Sequence, residues 1–160
     1  MGESEVVGGM NRIMAIGHDV VDVGAFGDQL RQPGSRLSEL FSARERRQAC
    51  SLASVKNDGQ ALHLAVRWAG KESVLKAWCA ALGHRPVPYG IDDFPWPQVE
   101  IIDDSLGRPG VYLTKELNDL LLSSLGICGD VHWLISLSHD GSVASAVVLL
   151  GLDDPGFSDS

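Results

Sequence analysis

The sequence contains little cysteine, no long apolar run and no recognisable export signal. Its three cysteines, Cys50, Cys79 and Cys128, lack C-x-x-C spacing, which argues against a disulfide framework or a zinc site and favours reduced structural thiols. No apolar run approaches the ~18 residues that span a bilayer, and the acidic start M-G-E-S-E lacks the basic region of a secretory signal. We therefore expect a cytoplasmic protein with no membrane partner.

Basic residues are in the minority, and they are unevenly distributed. The chain has 13 basic and 21 acidic side chains and a net charge of −8, which argues against nucleic acid as a partner. Residues 44–85 nevertheless carry eight basic and three acidic groups. This local positive charge favours a phosphorylated small molecule or an acidic protein as partner, with a solvated helix surface as the simpler alternative.

The chain is long enough for one domain. With 160 residues, 44% hydrophobic and 21% charged, the composition is that of a folded globular protein. We place an N-terminal extension at residues 1–11, the domain at 12–150 and an acidic tail at 151–160, and we expect disorder in the extension and in the tail from Asp153.

Apolar periodicity and breaker residues predict an α+β domain, with one long central helix packed on a small antiparallel sheet. The long helix is closed by Gly83, and its expected buried stripe is Ala61, Ala65, Trp68, Glu72, Leu75 and Cys79. Ser42 and Glu45 have capping-box spacing inside a second helical segment. A type I′ hairpin is expected at Asp140-Gly141. The predicted strands are 12–23, 98–103, 111–114, 131–138 and 142–150, and the predicted helices are 24–32, 37–52, 60–82 and 114–125.

Two carboxylates fall on apolar faces. Period two places Asp19 on the inward face of the first strand, and Glu72 interrupts the apolar stripe of the long helix. A charge placed there needs a partner, either a basic side chain or a divalent metal such as Mg²⁺. The simpler alternatives are a turn-capping role for Asp19 and an i,i+4 ion pair between Glu72 and Lys76.

Cations surround Glu72 on the same helix: Arg67, Lys71 and Lys76. Lysine suits phosphate as a mobile point charge, and a metal, carboxylates and cations together describe a phosphoryl-transfer site. A solvated charged helix face is the alternative.

The run Ser136-Leu137-Ser138-His139-Asp140 suggests a hydrolase at first sight. In a strand, however, Ser138 and His139 point to opposite faces, and no G-x-S-x-G elbow precedes a helix. His139 is better suited to donate a hydrogen bond to a ligand, or it is a surface histidine at a turn.

The motifs taken together resemble holo-acyl-carrier-protein synthase, the short type of 4′-phosphopantetheinyl transferase. The most specific feature is the W-x-x-K-E-x-x-x-K helix of Trp68 to Lys76 together with the upstream G-x-D of Gly17 to Asp19. The resemblance covers about Ile13 to Leu150. The other motifs are F-S-A-R-E at 41–45, G-R-P at 107–109 and S-L-S-H at 136–139.

The resemblance implies transfer of 4′-phosphopantetheine from coenzyme A to a serine of apo acyl carrier protein, in fatty acid biosynthesis, with release of adenosine 3′,5′-bisphosphate. It implies that Asp19 and Glu72 bind Mg²⁺ and that Lys76 stabilises or protonates the leaving phosphate. It also implies a homotrimer with active sites between subunits. The residues that it places near coenzyme A are Arg67, Lys71, Gly107, Arg108, Pro109, Ser138 and His139.

The chain departs from the family pattern at three positions. Ala25 stands where family members often have an arginine that docks acidic carrier proteins, so Arg31, Arg36, Arg44, Arg46 or Arg47 is expected to substitute. Leu134 replaces a common histidine before the S-x-S-H run, and Gly70 replaces a common alanine. Two alternatives stay open: a non-catalytic coenzyme A- or nucleotide-binding oligomeric module, and a transferase acting on a carrier domain of a megasynthase.

Overall fold

The computed structural model describes residues 12–90 and 92–153. The disorder predicted for residues 1–11 and for the end of the tail falls on residues outside these ranges. The elements, in chain order, are β1 (Arg12–Asp22), α1 (Val23–Arg31), a 3₁₀ turn (Leu37–Leu40), α2 (Ala43–Lys56), α3 (Gln60–Leu82), a second 3₁₀ turn (Trp96–Gln98), β2 (Val99–Asp103), β3 (Pro109–Leu113), α4 (Lys115–Leu125), β4 (Val131–Asp140) and β5 (Val143–Leu152).

The predicted α+β class is confirmed. Strands β1, β5 and β4 form an antiparallel sheet in that order, and β2 pairs with β3 in a separate antiparallel hairpin. Helix α3 lies at the centre, in contact with both sheets and with the other three helices. No helix among the described residues is long and apolar enough to cross a membrane.

The boundaries differ from the prediction in two helical regions. The segment expected to be one helix over 37–52 is divided, because Ser42 is extended and caps α2 in a reciprocal capping box with Glu45. Phe41, immediately before this cap, is buried in the core. Helix α2 then continues to Lys56 and ends at Asn57, which has a left-handed backbone with φ of 53°.

The apolar stripe predicted for α3 is wrong as a description of its buried face. Of its six members only Ala65 is buried, whereas the buried positions of α3 lie on nearly every side of the helix. A central helix that is packed on all sides has no single apolar stripe. One part of the core joins Trp78 to Ile101 and α4, and the other joins Leu64 to Phe26 and Phe41.

The β4–β5 hairpin is also corrected in detail. Asp140 pairs with Val143, so the loop is Gly141-Ser142 and not Asp140-Gly141. Only Gly141 of these residues has a positive φ, 54°. Glycine with positive φ at the first central position alone is the pattern of a type II′ turn, not type I′. Strand β5 runs to Leu152, so its last two residues belong to the sheet and not to the tail.

The free cysteines are not buried packing residues. Cys50 and Cys128 are exposed and Cys79 is half-buried, so the structural role expected for them has no support at two of the three positions.

A backbone contact between β1 and α3 fixes the position of the site described below. A Cβ built on Gly17 would lie 1.8 Å from the carbonyl oxygen of Ser73 and 2.8 Å from the backbone nitrogen of Ala77. Ser73 in turn donates from Oγ to the carbonyl oxygen of Ala146 on β5, at 3.0 Å. The sheet and the central helix therefore meet backbone to backbone, with no room for a side chain.

We predict that Gly17→Ala destabilises the protein by more than about 3 kcal/mol, because the clash involves backbone atoms that no rotamer change can move. The matched control is Gly129→Ala, since a Cβ at Gly129 meets no atom within 4 Å, and we expect a change within about 0.5 kcal/mol. Urea unfolding of both variants measures the difference. Equal stability of the two variants would contradict the close approach of β1 to the backbone of α3.

Candidate functional site

Three charged side chains from β1 and α3 converge beside the Gly17 contact. Asp19 lies on the buried face of β1, two residues after Gly17, and is 7% exposed. Lys76 of α3 donates from Nζ to Asp19 Oδ1 at 2.8 Å and to the carbonyl oxygen of His18 at 3.0 Å. Glu72 lies one turn before Lys76 on the same helix and is half-buried. Asp19, Glu72 and Lys76 are called the carboxylate cluster below.

The carboxylate cluster contains two carboxyl groups and only one basic side chain. Burial, followed by the neighbouring carboxyl of Asp19, raises the pKa of Glu72 to about 7, and Lys76 opposes this shift only in part. The second oxygen of Asp19, Oδ2, is buried and has no hydrogen-bond partner among the described residues. A buried acceptor without a donor is costly, so this position favours a bound cation or donor.

The cluster fits a magnesium ion. Carboxylate oxygens are the ligands that Mg²⁺ prefers, and the ion usually takes one or two of them and completes its shell with water and substrate phosphate oxygens. Within residues 12–90 and 92–153 no group of three or more His, Cys, Asp or Glu side chains could hold a metal. Two carboxylates with an orphaned oxygen are a donor set of the kind that Mg²⁺ takes from a protein.

A second group of polar residues lines a cleft of about 220 Å³ between α3, the end of α2, the β2–β3 hairpin and β4. The predicted site residues found there are Arg67, Gly107, Pro109, Ser138 and His139. We call it the basic cleft. The other lining residues are Leu52, Lys56, His63, Val66, Asp103 and Leu137.

Arg67 is built into the wall of the basic cleft. It is 2% exposed, and its Nη2 donates to Gln48 Oε1 at 2.6 Å while its Nη1 donates to the carbonyl oxygen of His63 at 3.1 Å. Its Nε is buried without a partner among the described residues. Burial lowers the pKa of Arg67, and the carboxylate of Asp103 opposes that shift. A buried guanidinium with a free donor suits an anionic ligand.

Two cleft residues were missed in the sequence, His63 and Lys56. His63 is buried, with Nε2 2.6 Å from Asp58 Oδ1. The signal available was spacing, since His63 precedes Arg67 by one helical turn and so shares its face. Lys56 could not be found in this way because it ends a different helix.

The structure corrects the role expected for Lys71. The resemblance placed it near coenzyme A, but its side chain is wholly buried and its Nζ donates to Glu45 Oε2 at 2.8 Å and to the carbonyl oxygens of Trp96 and Val99. Glu45 also accepts from the backbone nitrogens of Ser42 and Ile101. Burial raises the pKa of Glu45 and lowers that of Lys71, and their mutual attraction opposes both shifts. Lys71 ties α3 to α2 and β2 and has no atom left for a ligand.

Arg108 is held within the β2–β3 turn by a local partner. It is exposed, and its Nε donates to Asp104 Oδ2 at 2.7 Å within the β2–β3 turn. Its neighbours Gly107 and Pro109 line the basic cleft, whereas Arg108 is not among the lining residues. Asp104 also accepts from the backbone nitrogens of Leu106 and Arg108, so it shapes the turn.

The carboxylate cluster and the basic cleft lie on one helix but do not merge. Arg67 precedes Glu72 by five residues, about 7.5 Å along α3. Strand register puts about 12 Å between the Cα atoms of Asp19 and His139, two strands and two residues apart. An elongated ligand with several negative charges could reach both.

We predict that Lys71→Met destabilises the protein by about 3–5 kcal/mol, because it leaves the carboxylate of Glu45 buried and unpaired. The double variant Glu45→Gln/Lys71→Met should recover part of that loss, because the uncompensated charge is gone. Urea unfolding of the two variants provides the measurement. A Lys71→Met variant as stable as the original chain would contradict the structural role of this pair.

The chain is similar in sequence to known proteins. Residues 15–140 match the family model described as ACPS, the 4′-phosphopantetheinyl transferase superfamily. A holo-[acyl-carrier-protein] synthase of Bifidobacterium animalis subsp. lactis is 52% identical over 145 residues, which cover 88% of this chain and 99% of the relative. A protein of the same name from Corynebacterium efficiens is 39% identical and covers 86% of this chain and 94% of the relative.

The fold is shared with solved structures. An ACPS–CoA complex from Chronobacterium ammoniagenes superposes with a TM-score of 0.76 at 35% identity, over 88% of this chain and 98% of that one. The acyl carrier protein synthase of Mycobacterium tuberculosis gives a TM-score of 0.63 at 33% identity, over 88% of this chain and 98% of that one.

Proposed function

We propose, from the premise that the chain belongs to the 4′-phosphopantetheinyl transferase superfamily, that it moves 4′-phosphopantetheine from coenzyme A onto a serine of apo acyl carrier protein. The relatives are named as enzymes of this kind. In the reaction the serine oxygen forms a bond to the phosphorus that carries the pantetheine arm. The bond from that phosphorus to the oxygen of the nucleotide phosphate breaks, and adenosine 3′,5′-bisphosphate leaves.

The carboxylate cluster is the proposed reaction centre. Asp19 and Glu72 would hold Mg²⁺, which when bound would supply positive charge against the diphosphate and lower the repulsion of an attacking oxygen. Lys76, more than half exposed and already held by Asp19 at 2.8 Å, is placed to stabilise or protonate the leaving phosphate. The orphaned Oδ2 of Asp19 beside Glu72 is the observation that carries this proposal.

The basic cleft is the proposed site for the nucleotide part of coenzyme A. Lys56 and Arg67 bring positive charge to it, and His139 also lines it. Gly107 with φ of 76° turns the β2–β3 connection so that Pro109 lines the cleft. Ser138 and His139 supply hydrogen-bonding groups from the edge strand β4.

We predict that Asp19→Asn and Glu72→Gln each lower the transfer rate by about 10²-fold or more, because each removes a charge that would hold the metal. Asp130→Asn, which changes an exposed carboxylate in a loop, is the matched control and should leave the rate unchanged. The rate is followed by the mass of the carrier, and thermal unfolding verifies that the variants are folded. Unchanged turnover in both site variants would refute the metal assignment.

The alternatives have distinct outcomes in the same assay. A non-catalytic module would bind coenzyme A and modify no carrier. A transferase serving a megasynthase would modify an excised megasynthase carrier domain and leave a free acyl carrier protein unmodified. The names of the relatives mention an acyl carrier protein, and we propose that the partner is a free carrier of this kind, in cytoplasmic fatty acid biosynthesis.

We further propose that the chain forms a homotrimer through the outer face of the β1–β5–β4 sheet. Ile16, Leu149 and Leu134 form one row across the three strands, and Ile16 and Leu134 are 59% and 53% exposed. Val20 and Val147 extend this apolar surface, at 55% and 36% exposed. An exposed apolar sheet face of this kind is typical of a subunit interface.

We predict that Leu134→Lys converts a trimer into monomers of about 17.2 kDa, because a charge would be buried in the interface. Leu106→Lys is the matched control, since Leu106 is 74% exposed at the tip of the β2–β3 turn, and it should leave the trimer intact. Light scattering after size-exclusion chromatography gives the masses. A monomeric original chain, or a trimeric Leu134→Lys variant, would contradict the proposed interface.

A further inference from the structure

Helix α2 has an exposed face that is positively charged although the chain as a whole is acidic. Its sequence contains Arg44, Arg46, Arg47 and Lys56 and a single acid, Glu45. Glu45 is wholly buried and is paired with Lys71 of α3. The only carboxylate of α2 therefore does not neutralise the arginines at the surface of that helix.

Most other exposed cations are neutralised within their own elements. Arg31 pairs with Asp28, Arg36 with Glu39, Arg108 with Asp104 and Lys115 with Asp119, each at 2.8 Å or less. In the part of the chain that the structure describes, no carboxylate lies within 4.0 Å of Arg46 or Arg47, and Arg44 reaches Glu100 only at 3.6 Å. Arg46 and Arg47 thus carry positive charge that no carboxylate of the described residues neutralises.

The same face of α2 is concave. Arg44, Arg47 and Ser51 recur at i, i+3 and i+7 and line, with Gln48 and Ile102 of β2, a shallow depression of about 440 Å³. Gln48 connects this depression to the basic cleft, because its Oε1 accepts from Arg67 and its Nε2 donates to the carbonyl oxygen of Asp103. A protein bound to α2 would therefore lie beside the basic cleft.

We propose that the exposed face of α2, formed by Arg44, Arg46 and Arg47, docks a carboxylate-rich surface of the carrier protein. The proposal rests on the proposed function, which supplies the carrier as partner. Helix α1 offers no equivalent surface, since its single cation, Arg31, is paired with Asp28. A long polyanion is disfavoured, because it would also meet the field of a chain with a net charge of −8.

The test compares two double variants with the same change in charge. Arg46→Glu/Arg47→Glu reverses the unpaired arginines near the start of α2, where acidic residues are tolerated by the helix dipole. Arg12→Glu/Lys115→Glu reverses two exposed cations on other elements. We measure KM for an apo acyl carrier protein, KM for coenzyme A, and kcat, at several salt concentrations.

We expect the α2 variant to raise KM for the carrier about 10-fold or more at low salt, with kcat and KM for coenzyme A within about twofold. The difference should shrink as salt increases, because the interaction is screened. The control variant should stay within about twofold of the original chain on all three parameters. Equal carrier KM values for the two variants, or a rise in KM for coenzyme A instead, would overturn the proposal.

Failure of the docking proposal can be distinguished from failure of the proposed function. If the original chain transfers no phosphopantetheine, the function fails, and direct binding of the carrier by calorimetry still tests the surface. Carrier binding that is lost in the α2 variant and kept in the control would support the docking site in that case. No carrier binding by the original chain, or equal binding by both variants, would overturn it.

Discussion

The contact between Gly17 and the backbone of Ser73 is the constraint on which the site depends. Strand β1 and helix α3 approach so closely there that no Cβ fits between them. Because side chains alternate along a strand, Asp19 follows Gly17 on the same inward face. Because Glu72 and Lys76 flank Ser73 on α3, both end up beside Asp19. One missing side chain thereby places three charged groups together.

The close approach also explains the electrostatics of the carboxylate cluster. Asp19 is buried and Glu72 is half-buried beside the contact that joins the two elements, so burial and the neighbouring carboxyl of Asp19 together raise the pKa of Glu72. Lys76 compensates Asp19 in part but leaves Asp19 Oδ2 without a donor. A cation bound there would restore the balance, which is why the charged groups of a phosphoryl-transfer site can remain in a largely apolar surrounding.

The three basic residues of helix α3 lie in three different environments. Arg67 is anchored in the wall of the basic cleft by Gln48 and the carbonyl oxygen of His63. Lys71 is buried against Glu45 and stabilises the packing of α2 and β2. Lys76 remains more than half exposed and faces Asp19. Gly70, one residue before Lys71, lets Ile101 and Ile135 pack closely on the helix, since a Cβ there would lie 3.0–3.3 Å from their side chains.

Much of the fold and of the candidate site could be predicted from the sequence, because local periodicity and short motifs indicate them. Period two placed Asp19 inward, and the W-x-x-K-E-x-x-x-K helix with its upstream G-x-D indicated the family. The spacing of Ser42 and Glu45 indicated a capping box, but the helix was predicted to begin at residue 37 and not after Ser42. The role of Lys71 could not be predicted, since its partner Glu45 lies on another helix. The all-round burial of α3 and the type II′ turn at Gly141 likewise depend on tertiary packing and strand register, which one sequence window does not contain.

The central claim is that the carboxylate cluster supports a metal-dependent transfer to a carrier protein. Its most direct test is the intact mass of apo acyl carrier protein after incubation with this protein, coenzyme A and Mg²⁺, beside an identical sample containing a chelator. The account predicts a mass gain of one phosphopantetheine that the chelator abolishes. The same gain in both samples would contradict the metal dependence, and no gain with any carrier, while coenzyme A still binds, would contradict the transfer itself.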